Sequence, residues 1–234
     1  MSRPRKFLLF DIDQTLLHTD GAGLRALSRA FREVFELPGD GDLPLDLAGA
    51  TDHGLFEDFL AQRGEAEPPG LRSHFFSIYT DHLRIELEGG PKKEGRVLPG
   101  VESLLDLLRE RNEHLLGLLT GNTRCGAEIK MTSYGLAGHF EFDIGAYGDD
   151  HPDRNRLGPV ALERAAGRGH TFEPTRVVII GDTPRDIHCA RHLGAAAVAV
   201  ATGGFSAAEL ALHEPDLLLT SLEEPTSLLE LLDA

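Results

Sequence analysis

Residues 6–17 read KFLLFDIDQTLL, and the fold follows from them. Four apolar residues, Phe7 to Phe10, predict a short strand covered on both faces, because a brief apolar run bounded by polar residues suits a buried parallel strand. Asp11 and Asp13 follow it with only Ile12 between them, and the side-chain period of two in a strand puts both carboxylates on one side of the backbone. Two like charges at such spacing repel unless a cation or a shared proton offsets them. The pair therefore asks for a metal. The ordinary structural alternative is a strand ending in a turn, with both aspartates bonding their own backbone and Thr15 capping the next helix.

Composition narrows the classes. The chain has 234 residues, enough for one large core or a core with a smaller appended domain, and its 41% hydrophobic and 26% charged content is that of a globular protein. A net charge of −15 repels phosphate backbones, so nucleic acid is not the expected partner. Only four apolar residues precede the first carboxylate, too few for a signal peptide or a membrane span. Cys125 and Cys189 lack metal-ligand spacing and are expected to be reduced, helix-packing thiols. The eleven scattered histidines show no zinc motif. The protein is expected in the cytoplasm, off the membrane.

Further along, residues 20–37 and 71–87 carry apolar residues at helical spacing, residues 49–64 read as a loop and then a helix, and no strand pattern interrupts residues 20–88. Gly89-Gly90-Pro91 closes this helical block. From residue 97 the chain alternates: helix 101–110, strand 115–119, helix 124–134, strand 142–146, helix 157–166, strand 177–180, helix 184–193 and strand 196–200. Ser206 caps a short helix, 217–219 is an edge strand, and 227–232 is a last helix. Such alternation predicts βαβ units. The expected fold is α/β, a Rossmann-like parallel sheet formed by 1–19 and 97–234, with an inserted all-helical domain over 20–96.

In an open parallel sheet, ligands bind beyond the carboxyl ends of the strands. There stand Asp11 and Asp13, then Thr120-Gly121-Asn122, then Asp182 within GDTPRD. Each has an ordinary reading alone: Thr120-Gly121 as a turn into a helix, Asp182 as an N-cap before Pro184. Three such strand ends aimed at one place make a site.

DIDQT, LLTGN and GDTPRD, in this order and each after an apolar strand, resemble motifs I, II and IV of the haloacid dehalogenase superfamily. The helical insert resembles the subfamily I (C1) cap of phosphoglycolate phosphatase-like members. The resemblance implies a phosphatase acting on a small phosphorylated metabolite, with Mg²⁺ as cofactor. Asp11 would be the nucleophile, and Asp13 the general acid and base that also lends its backbone carbonyl to the metal. Asp182 would be the other direct carboxylate, and Asp186 a ligand or an orienter of metal-bound water. Thr120 would hold a phosphoryl oxygen with the N–H groups of Gly121 and Asn122.

Two departures stand out. The motif III lysine is missing from GDDHPDRNRLGPVALERA; Arg154, favoured by position, Arg156 or Lys130 would replace it. Gln14 stands where the family commonly has glycine. Asp13 itself disfavours carbon–halogen cleavage, since the hydrolytic dehalogenases lack it. In the insert, Thr51, Asp52 and His53 are candidates for substrate contact or, equally, for a capped helix start. Hinges are expected at 16–20 and 96–100. The alternatives are a phosphomutase or other phosphotransfer enzyme of the same fold, and a non-catalytic interaction protein. Phosphonate cleavage would need a cap lysine, and the block has only Lys92 and Lys93 at its far end. A non-catalytic member would be expected to have lost Asp11, Asp13 or Asp182.

Overall fold

The computed structural model describes residues 5–88 and 95–234. Gly89-Gly90-Pro91, Lys92 and Lys93 lie outside the described residues.

Strand β1 (Phe7–Phe10) lies between β4 (Leu115–Leu118) and β5 (Val177–Gly181), and β6 (Ala196–Val200) and β7 (Leu217–Leu219) extend the sheet. All these pairings are parallel. Alternation along each strand sorts its side chains. Leu8, Phe10, Leu116, Val178 and Ile180 pack on one face against helices α4 (Val101–Arg111), α5 (Arg124–Ser133) and α9 (Thr226–Asp233). Phe7, Leu9, Val177 and Ile179 pack on the other against α6 (Leu157–Gly167), α7 (Pro184–Leu193) and α8 (Ala207–Ala211). Both faces are covered, which explains strands that are apolar at every position.

The register sets the site. Phe10 stands level with Leu118 and with Ile180. The Asp11 amide then donates to the Ile180 carbonyl at 2.9 Å, and that of Leu119 to Phe10 at 2.9 Å. Asp11, Thr120 and Asp182 thus leave the sheet at about the same height.

Between β1 and β4 the chain forms α1 (Ala22–Val34), α2 (Asp52–Arg63) and α3 (Leu71–Glu88). These helices bury Leu27, Phe31, Phe56, Phe75, Tyr79 and Leu83 in a cluster of their own, joined by Ile129 from α5. The block leaves and rejoins the sheet through a two-stranded antiparallel ribbon, β2 (Leu17–His18) with β3 (Arg96–Val97). Two residues per strand leave no periodicity to read, so sequence pattern does not reveal this ribbon.

Two expectations are corrected. Residues 142–146 do not form a strand: Phe142–Ile144 is one 3₁₀ turn closed by the Ile144 amide on the Glu141 carbonyl, and only Ala146 bridges to Leu119. The apolar-polar alternation there is satisfied as well by a tight turn that buries Ile144. Cys189 is buried as a packing thiol, but Cys125, in the first turn of α5, is exposed. Among the described residues no helix is long and apolar enough to cross a membrane.

Candidate active site

A cavity of about 290 Å³ opens over the carboxyl ends of β1, β4 and β5, with Asp11, Asp13, Thr120, Lys130, Arg154 and Asp182 in its wall. Asp11 is 6% exposed, and one of its oxygens lies 3.0 Å from an Arg154 nitrogen. That same nitrogen reaches Asp186 at 2.5 Å. Burial, partly opposed by Arg154, raises the Asp11 pKa.

The α7 cap is Thr183, in a reciprocal capping box with Asp186, and not Asp182. Asp182 is thereby left to enter the cavity, where the Thr15 hydroxyl donates to it at 3.2 Å. Thr15 serves this carboxylate rather than a helix start. Desolvation first, then the charges of Asp11 and Asp186, push the Asp182 pKa up to about 9. A cluster of carboxylates that resists ionisation calls for a cation.

One oxygen each of Asp11, Asp182 and Asp186 lies within 4.8 Å of the others, an all-oxygen donor set of the kind hard divalent ions take. The cradle is tight: a Cβ at Gly203 would come within 1.8 Å of an Asp182 oxygen, and one at Gly181 within 2.1 Å of the Asp186 carboxyl carbon. Asp186 also accepts from the Thr183 amide and hydroxyl, so its oxygens are largely spent on Arg154 and Thr183. The group can hold a divalent cation, mainly through Asp11 and Asp182.

Asp13 lines the same cavity but has partners of its own. Lys130, only 3% exposed, donates to its two oxygens at 2.8 and 2.6 Å, and the Asn122 side chain donates at 2.8 Å. Lys130 also donates to the Asn122 side-chain oxygen Oδ1 at 2.6 Å. The two candidate cations are therefore divided: Arg154 serves Asp11 and Lys130 serves Asp13, while Arg156 is exposed. Thr120 is fully buried and accepts from the Asn122 amide at 3.3 Å and from its side chain at 2.7 Å, leaving its own O–H to donate. Asn122 thus spends both donors on Thr120 and Asp13. A Cβ at Gly121 would come within 1.8 Å of the Ala50 carbonyl oxygen, so only glycine fits there.

Of the three candidates in the helical block, Thr51 caps α2 and donates to the Pro152 carbonyl at 2.6 Å. Asp52 lines the cavity; it accepts from the Thr123 amide at 2.8 Å, and desolvation raises its pKa to about 7. His53 stacks on Phe76, 4.7 Å between centroids, in a separate groove with Cys125 and Asp149. The loop before α2 is fastened to the core: the Asp52 amide donates to the Gly121 carbonyl at 2.7 Å, and Arg154 reaches the Gly49 carbonyl at 3.4 Å.

Sequence reasoning missed the end of β6, where the Thr202 hydroxyl donates to the Gln14 carbonyl at 2.6 Å and Gly203 makes room for Asp182. The Gly203-Gly204 pair, separated by two residues from a buried strand, was its available signal. Gln14 takes a left-handed φ of 64°, which accounts for glycine being usual at that position in the resembling family.

Residues 8–200 match the family model of haloacid dehalogenase-like hydrolases. The chain belongs to that family. It is 28% identical to phosphoglycolate phosphatase of Chromobacterium violaceum, over 94% of either chain. It is 25% identical to the probable phosphatase IndB of Dickeya dadantii, over 94% of this chain and 91% of the relative. Its fold matches a putative β-phosphoglucomutase from Bacteroides vulgatus with a TM-score of 0.70 at 17% identity, covering 99% of this chain and 90% of that one. By family and relatives, this haloacid dehalogenase-like protein is a phosphatase.

Proposed function

We propose that the chain hydrolyses a small phosphate monoester with Mg²⁺ as cofactor, through a covalent phosphoryl group on Asp11. The observation that carries this reading is the meeting of Asp11, Asp182 and Asp186 oxygens within 4.8 Å, beside Thr120 and two buried cations, under one cavity. Asp11 and Asp182 would hold the ion, with Asp186 beside them and the Asp13 backbone carbonyl as a further donor. When bound, the ion screens carboxylate from phosphate dianion and aligns the phosphoryl group for in-line attack.

The residues divide the work. An Asp11 oxygen attacks phosphorus, the bond to the ester oxygen breaks, and Asp13 gives its proton to the departing alkoxide. Asp13 then takes a proton from a water that attacks the same phosphorus, releasing Asp11 and inorganic phosphate. Lys130 and Asn122 hold Asp13 at the position where it serves both steps. Thr120 donates its hydroxyl to a phosphoryl oxygen, and Arg154 replaces the missing motif III lysine, meeting the charge that develops beside Asp11. The helices of residues 20–96 act as a cap hinged on the β2–β3 ribbon, over a core of 1–19 and 97–234, so that closure excludes water from the site. Two free thiols suit a reducing cytoplasm.

The test is phosphate release from phenyl phosphate with Mg²⁺ and with EDTA. Release that needs the metal and vanishes in Asp11→Asn bears out the reading; wild-type turnover in Asp11→Asn sinks the nucleophile.

A further inference from the structure

Above the carboxylates the cavity changes character. Leu24 and Leu27 of α1, Leu47 and Ala50 of the following loop, Leu55 of α2 and Phe205 after β6 form this wall. Leu24, Leu47, Leu55 and Phe205 are only half-buried, so they keep apolar surface open to whatever enters. Among the described residues, the positively charged groups lining the cavity are Lys130 and Arg154, and both are committed: one to Asp13 and Asn122, the other to Asp11 and Asp186. The remaining polar side chains toward the cap are the uncharged Gln14 and Thr19, together with the acid Asp52.

We infer that this site selects monoesters whose alcohol is uncharged and largely apolar, and rejects those whose alcohol carries a carboxylate or a second phosphate. The inference rests on the phosphatase reading and deepens it. A second anion would lie against leucines and Asp52 with no free cation among the described residues, and an unpaired charge taken out of water is strongly disfavoured. A hydrocarbon group gains there, by about fourfold in affinity for each methylene fully removed from water. A volume of about 290 Å³ is at the small end of ligand pockets, so the alcohol is short.

The experiment compares kcat/KM for ethyl phosphate, butyl phosphate and 2-phosphoglycolate, each with Mg²⁺. Butanol is a poorer leaving group than glycolate, so intrinsic reactivity works against the expected order. The expected result is butyl phosphate above ethyl phosphate, and butyl phosphate at least about tenfold above 2-phosphoglycolate. Equal or faster turnover of 2-phosphoglycolate overturns the inference while leaving the phosphatase reading intact. Release from phenyl phosphate with none from ethyl or butyl phosphate overturns the inference alone, and no release from any ester, phenyl phosphate included, overturns both. Leu24→Arg, placing a cation in the wall, should raise the ratio of 2-phosphoglycolate to butyl phosphate turnover by about tenfold. An unchanged ratio in a variant that still hydrolyses butyl phosphate counts against the wall as the selector. Should that variant not fold, the three-ester series on the unaltered chain decides.

Discussion

On the sheet side of the cleft, Asp11, Asp182 and Asp186 are crowded together and held by Arg154, Thr15 and Thr183, each carboxylate placed by a strand end or a helix cap. On the helical side, leucines from α1, α2 and the loop between them face the same space, and Asp52 is the one acid of that block in the cavity. The sheet side concentrates charge in a buried place, which costs stability and supplies chemistry. The helical side concentrates apolar surface, which on the inference drawn above would sort the esters that enter. Reaction type is thus built into the part shared with many fold relatives, and selectivity into the part a family can vary.

The comparison breaks first at Asp11. Asp11→Asn should lower turnover by on the order of 10⁴-fold or more, measured as phosphate release at saturating substrate, with the fold kept by circular dichroism. Arg154 comes next. Arg154→Met should lower kcat by about 10²- to 10³-fold and also lower the melting temperature, because Asp11 and Asp186 lose their buried partner. Arg154→Lys should recover the melting temperature more than the rate, since an ammonium keeps the charge but not the two-pronged grip. Full recovery of both would make Arg154 a charge and nothing more.

The carboxylate cluster makes a pH prediction. In the folded chain Asp182 binds its proton up to about pH 9, against an ordinary value of 3.8, so the folded state holds more protons than the unfolded one across that interval. Its contribution to stability is complete at low pH and is lost as pH rises toward 9. Without metal, the melting temperature followed by circular dichroism should fall from pH 5 to pH 9. Adding Mg²⁺, which favours the ionised carboxylates, should raise it most at the alkaline end. An equal rise at both ends would disprove the link between the cluster and the ion.

The smallest effect belongs to Gln14. Its left-handed backbone is strained for a side chain, so Gln14→Gly should raise stability by up to about 1 kcal/mol, less what is lost with its 2.7 Å hydrogen bond to His18. A drop in melting temperature would show that the bond outweighs the strain.

Much of the site was legible because its chemistry is local in sequence. Asp11 and Asp13 directly follow four apolar residues, Thr120 closely follows LLGLL, and Asp182 follows VVIIG. Strand ends in a parallel sheet aim at one place, so their order alone brought them together. The division of labour between Arg154 and Lys130 was not legible. Lys130 is 117 residues from Asp13, and its partner depends on how one face of α5 meets the end of β1. Position along the chain named Arg154, but the distance to Asp11 required the fold. His53 shows the opposite failure: it adjoins Asp52 in sequence, yet a helix turns neighbouring side chains about 100° apart and sends it to another groove.

By itself the sequence determined the βαβ core, the helical insert and the strand-end carboxylates that meet at the cavity, since hydrophobic period and strand-end chemistry act over a few residues. Only the tertiary structure decided which cation serves which aspartate, that Asp186 is tied to Arg154 and Thr183, and that Leu24 and Leu27 of α1 and Leu55 of α2 line the cavity. Those facts depend on how separate elements pack, and packing is set by side chains distant in the chain that meet only once the sheet is covered.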